Sequence, residues 1–72
     1  MGKENIQTEV GNKLKEAREK RNITQAEVAT KAEIAINYYA MIERGEANPS
    51  LDKLHRIKKV LKVKWSDVFP RS

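Results

Sequence analysis

Cysteine is absent from this 72-residue sequence. Its absence removes disulfide cross-links and thiolate metal sites and leaves helix packing to hold the chain together, in keeping with a reducing cytoplasm. There is a single histidine, His55, which lies among basic residues outside the apolar stripe of its segment, and no Gly-rich phosphate loop occurs. The chain therefore does not read as an enzyme, and no cofactor, metal ion or small-molecule substrate is expected. Apolar runs reach only about four residues, too short for a transmembrane span, and Met1-Gly2-Lys3-Glu4-Asn5 lacks the apolar stretch of a signal peptide. A soluble, cytoplasmic protein is the expectation. Strand-like alternation, internal repeats, low-complexity segments and interdomain linkers are also missing, which leaves one domain, residues 1–72, with a core spanning about residues 6–69.

Charge is present in excess of one sign. Fifteen Lys and Arg stand against ten Asp and Glu, for a formal net charge of +5 and a sequence pI near 9.7. Such a balance suits a chain that meets polyanions. Lys53, Arg56, Lys58, Lys59, Lys62 and Lys64 follow one another without an intervening acid, so the positive field is strongest in the C-terminal third. By itself such a run fits a solvated helix face as well as a phosphate-contacting one. A chain this short buries only about 60% of the surface that its unfolded form exposes, so the core must be small.

Helical periodicity supplies that core. Ile6, Val10, Leu14 and Ala17 share one face of a helix predicted over about 7–21, with Arg18 at the edge of the stripe. Asn22 tolerates the left-handed backbone that closes a helix, and Ile23 then re-enters the core. Thr24 with Glu27 three residues on forms a capping box for a second helix, 25–31, that buries Val28 and Ala29. A third helix, 36–44, turns Tyr39 and Ile42 inward and stops at Gly45. Asn48-Pro49-Ser50 is a turn in which Ser50 caps a fourth helix whose Leu51, Leu54, Ile57 and Leu61 line one face. Ser66 is placed to cap a last turn over Asp67-Val68-Phe69, with Phe69 closing the core. The expected fold is an all-α compact bundle of four to five short helices.

Two short helices joined tightly within residues 24–44 match a helix-turn-helix unit. The string Thr24-Gln25-Ala26-Glu27-Val28-Ala29, followed by Ile42-Glu43-Arg44-Gly45-Glu46 and Asn48-Pro49-Ser50-Leu51, resembles the phage-repressor and Cro-type (XRE-like) family of transcriptional regulators over about residues 14–69. The resemblance implies a lambda-repressor-like domain that binds double-stranded DNA as a homodimer, with helix 36–44 in the major groove. It also departs from the family pattern: glycine usually stands at Glu33 and serine or threonine at Ala35. Each change costs on the order of 1 kcal/mol locally and bears on the tilt of the third helix.

With Tyr39 and Ile42 inside, the outward face of that helix holds Asn37, Ala40, Met41 and Arg44, with Ile36 at its leading edge. The resemblance implies base reading from Ile36, Asn37 and Met41. Asn37 suits adenine, and Ile36, Ala40 and Met41 suit thymine methyls, so palindromic sites with A/T-containing half-sites are expected. Ile36 and Met41, being apolar, also fit a core role. Gln25 is expected to hold a backbone phosphate, as are Tyr38, Arg44, Asn48 and Lys53. The resemblance further implies an architectural ion pair between Arg18 and Glu43. Trp65, Val68 and Phe69 are the candidate dimer surface, with core packing the favoured alternative for Phe69. The competing expectation is a protein-interaction module that uses the apolar side of the third helix; attachment to a membrane surface lacks the exposed aromatic face it needs.

Overall fold

The computed structural model describes residues 5–69, which form five helices: α1 (Ile6–Lys20), α2 (Gln25–Ala32), α3 (Ile36–Glu43), α4 (Leu51–Leu61) and α5 (Trp65–Val68). The all-α bundle is as expected. Three of the starts rest on side-chain caps. Asn5 accepts the Gln7 N–H at 2.8 Å, Thr24 and Glu27 exchange hydrogen bonds at 3.0 and 2.9 Å, and Ser50 accepts the Lys53 N–H at 3.2 Å. These side chains satisfy backbone donors that a helix's first turn leaves unpaired. Ala35 offers α3 no such bond. Ser66 does not open the last helix: α5 begins at Trp65, where the Asp67 carboxylate accepts the Lys64 N–H at 3.0 Å.

The first four helices close alike, each on a residue with positive φ: Asn22 (55°), Glu33 (60°), Gly45 (78°) and Lys62 (57°). The next N–H then returns to a carbonyl five residues back, as in Ile34 to Ala29 at 2.9 Å and Glu46 to Met41 at 2.8 Å. Ile23, Ile34 and Val63 follow three of these turns and pack partly buried on the core, the apolar contact that accompanies such endings. Gly45 accommodates its left-handed backbone freely, whereas Glu33 does so at about 1 kcal/mol. Its nearest cation, Arg56 at 3.8 Å, faces a carboxylate that is 81% exposed, which returns little. Glu33→Gly is therefore expected to stabilise the domain by up to about 1 kcal/mol, raising Tm by about 4 to 8 °C. A lower Tm in a calorimetric comparison would mean that the glutamate contributes more than its backbone costs.

The core comprises Val10 and Leu14 from α1, Val28, Ala29 and Ala32 from α2, Tyr39 and Ile42 from α3, Leu54, Ile57 and Leu61 from α4, and Val68 from α5. α2 rests on α3 and α4, and α1 lies across α3, α4 and α5. The arginine of α4 joins two of these layers, because Arg56 donates to the Ala32 carbonyl at 3.2 Å and to Asp52 at 2.9 Å.

Some expected positions are corrected. Ile6 and Leu51 share their helices' apolar stripes yet are 62% and 71% exposed. Each is the first residue of its helix, so its side chain, leaning toward the N-terminus, overhangs the end of the core. Val68, expected on a dimer surface, is buried instead, and Phe69, expected to close the core, is exposed. α5 starts two residues before its expected first residue, Asp67, which rotates Val68 inward.

Candidate nucleic-acid interface

α3 is held by its inner side. Tyr39, Ile42 and Glu43 are buried, while Ile36 and Asn37 are exposed and Ala40 and Met41 half-buried. The four residues expected to meet bases thus share one open side of a helix that is anchored opposite. Ile36, at 47% exposure, is not core.

The anchor is electrostatic as well as apolar. Arg18 of α1 grips Glu43 of α3 through Nε–Oε2 at 2.7 Å and Nη2–Oε1 at 3.3 Å, and its Nη1 donates to the Ile23 carbonyl at 3.0 Å. The expected pair between the first and third helices is therefore present as a forked contact, the strong geometry for arginine and carboxylate. Burial by itself would raise the pKa of Glu43, but the hydrogen bonds it accepts from Arg18 and Gln25 outweigh it and hold the carboxyl below its ordinary value. Arg18 is pushed further up, chiefly by its hydrogen bond to Glu43. Burial, and then the neighbouring Glu43, also push up the Tyr39 hydroxyl. Glu43 is an architectural anion with no free acid–base role.

The residues expected at phosphates divide into separate places. Gln25 opens α2, but its Nε2 donates to Glu43 Oε1 at 2.9 Å, so the amide already ties α2 to α3. Tyr38 and Lys53 come together with Glu33, Ile34 and Ala35 around one cleft. Arg44 is exposed and paired with Glu46 at 3.0 Å. Asn48 instead borders an apolar groove with Ile6, Leu51 and Phe69. The basic run of α4 is dispersed: Arg56 caps α2, Lys58 donates to the Val63 carbonyl at 3.4 Å and stands 5.2 Å over the Trp65 ring, and Lys53 turns to the Tyr38 cleft. Trp65 stacks with both His55 and Phe69, with ring centroids 6.2 and 5.7 Å away. Sequence reasoning did not single out Asn12 and Lys15, which line a second cleft beside Gln25 and Arg44. Both are exposed polar residues on the side of α1 away from its apolar stripe, and that position is the signal the sequence offers.

A short helix fixed by its inner side on a preceding short helix, with its other side bare, is the architecture of a groove-reading module. Residues 14–68 match the helix-turn-helix family, and the chain belongs to that family of DNA-binding transcriptional regulators. It is 37% identical over 59 residues to the immunity repressor protein of Bacillus phage phi105, a match covering 82% of this chain and 41% of that repressor. The chain thus spans less than half the length of that relative. To the control protein C.MunI of a Mycoplasma species it is 37% identical over 65 residues, 89% of this chain and 88% of that protein. Its fold superposes on the crystallised C.Esp1396I bound to a 25-base-pair operator site with a TM-score of 0.78, at 27% identity, covering 88% of this chain and 83% of that one.

Proposed function

We propose that this chain is a cytoplasmic transcriptional regulator that seats α3 in the major groove of a palindromic operator and binds as a homodimer. The observation that carries the reading is the division of α3 into a buried side at Tyr39, Ile42 and Glu43 and a bare side at Ile36 and Asn37. Asn37 bonds adenine, Ile36, Ala40 and Met41 pack on thymine methyls, and Gln25, Tyr38, Arg44, Asn48 and Lys53 meet the backbone. The backbone N–H groups of Gln25 and Ala26 at the start of α2 serve that task, while the Gln25 side-chain amide stays on Glu43. The operator-bound relative supports the choice of duplex DNA.

For pairing, the groove lined by Ile6, Val10, Ile42, Leu51, Leu54 and Phe69, with Trp65 stacked on Phe69, is the apolar surface that a second copy covers. It replaces the expected contribution of Val68. Two-fold pairing places half-sites one helical turn, about 34 Å, apart.

Selection of bound oligonucleotides from a random pool tests this reading: a palindrome with A/T-containing halves is the expected product, and an unenriched pool would remove it. Exposure of Ile36 favours one other reading, a protein-docking helix, and an unenriched pool would favour that one. On the selected site, Asn37→Ala is expected to lower affinity by about 1 to 3 kcal/mol and to relax sequence choice, whereas Lys53→Ala weakens all sequences alike and flattens the salt dependence. Equal loss on every duplex from Asn37→Ala would reassign that residue to the backbone.

A further inference from the structure

The cleft between α1, α2 and the end of α3 carries a site that the base-reading side does not explain. Its lining includes Asn12 and Lys15 of α1, Gln25 of α2, Arg44 at the end of α3, and the acids Glu43 and Glu46. Glu43 is committed inward, where Arg18 and Gln25 occupy its oxygens, and Arg18 matches its charge. What remains facing the cleft is two cations, Lys15 and Arg44, one amide, Asn12, and one carboxylate, Glu46. That carboxylate holds Arg44 in a particular way: Glu46 Oε1 lies 3.1 Å from Arg44 Nε and 3.0 Å from Nη2, so one oxygen bridges two nitrogens of the guanidinium. A phosphate engages the same Nε–Nη2 edge of an arginine, with two oxygens in place of one.

We infer that this cleft is a seat for a phosphate of the duplex backbone, recognised by Lys15, Asn12 and Arg44, and that Glu46 occupies it as an internal phosphate mimic until DNA displaces it. The inference rests on the DNA-binding reading above and adds Lys15, Asn12 and Glu46 to it. The exchange is feasible because the pair is weakly held. Arg44 and Glu46 are 56% and 54% exposed, and ion pairs that open to water contribute little. On binding, Arg44 trades one anion for another and the Glu46 carboxylate returns to solvent. The Schellman-type turn through Gly45 keeps both residues beside the cleft, since Glu46 N–H is bonded to the Met41 carbonyl at 2.8 Å. Because backbone phosphates carry no sequence information, the mimic lowers affinity for all duplexes alike and leaves specificity unchanged.

The test measures binding of a selected operator duplex and a scrambled duplex of equal length across a salt series. Glu46→Gln is expected to tighten both by the same factor, about two- to fivefold, which is the worth of an exposed pair, and this gain should be lost when Arg44 is already alanine. Lys15→Ala should weaken both and reduce the slope of log affinity against log salt by about 0.9, the loss of one phosphate contact. These side chains lie outside the core, so melting curves should match the parent and confirm that folding is unaffected. Unchanged affinity and slope in Lys15→Ala, or a Glu46→Gln gain that survives without Arg44, would overturn the seat while leaving the operator reading intact. A parent chain that binds neither duplex would overturn both.

Discussion

Replacing Glu43 with alanine is expected to cost about 3 to 5 kcal/mol of stability, because the Arg18 guanidinium, only 14% exposed, would be left without its carboxylate. Gln25 would lose its acceptor in the same step. For a domain whose whole stability is roughly 4 to 11 kcal/mol by size, that is enough to leave much of the population unfolded at 37 °C. The pair also makes an acid limb. The Glu43 pKa is lowered from its ordinary 4.5 in the folded state, so its contribution is complete above about pH 4.5 and is lost as pH falls through the folded value. Glu43→Gln keeps the shape and removes that titration, so its stability should change less than the parent's between pH 4.5 and pH 3. Urea unfolding at pH 7 and along that acid range checks both. A loss under about 1 kcal/mol in Glu43→Ala would show that the pair does not hold α1 to α3.

Helix existence was legible because local chemistry announces it. The Thr24–Glu27 box and Ser50 sit at the starts they predict, and Asn22 and Gly45 sit at the stops. Lys62 was not legible as a stop: a lysine with φ of 57° is forced left-handed by Val63 returning to the core, which is a tertiary effect. The bare side of α3 followed from Tyr39 and Ile42, two inward residues three positions apart that fix the rotation of an eight-residue helix. α5 is a single turn, so two residues of error in its start exchanged the inside and outside roles of Val68 and Phe69. Periodicity also assigns a side of a helix but not a depth, hence the exposure of Ile6 and Leu51 at the helix tips.

The candidate site was legible in its outline and not in its wiring. Residue types and spacing named Gln25 and Arg44 as polar groups near a backbone. Neither revealed that the Gln25 amide is already bonded to Glu43 or that Arg44 already holds Glu46. Contacts of this kind depend on angstrom-scale separations between elements, and a sequence read one helix at a time carries no such distances. The resemblance did supply the Arg18–Glu43 pair, which spans 25 residues and which no local pattern would have found.

Gly11→Ala is expected to be the other severe change, although alanine is locally the better helix former by about 1 kcal/mol. A Cβ at Gly11 would lie 2.5 Å from the Glu43 carbonyl oxygen and 2.8 Å from its carbonyl carbon, and against the Ile42 carbonyl oxygen as well. These are backbone atoms at the end of α3, so no rotamer change relieves the clash and α1 must move away from the groove-reading helix. That movement would also stretch the Arg18–Glu43 fork, which bridges the same crossing. Overpacking of this kind costs about 3 kcal/mol, lowering Tm by about 12 to 24 °C in a domain of this length. The neighbouring Asn12 is exposed on the same helix, so Asn12→Ala should melt with the parent or slightly above it and so isolate the steric effect from helix propensity. Should Gly11→Ala also melt with the parent, α1 and α3 cannot be in backbone contact in the folded protein, and the fixed tilt of α3 on which base reading depends would need another support.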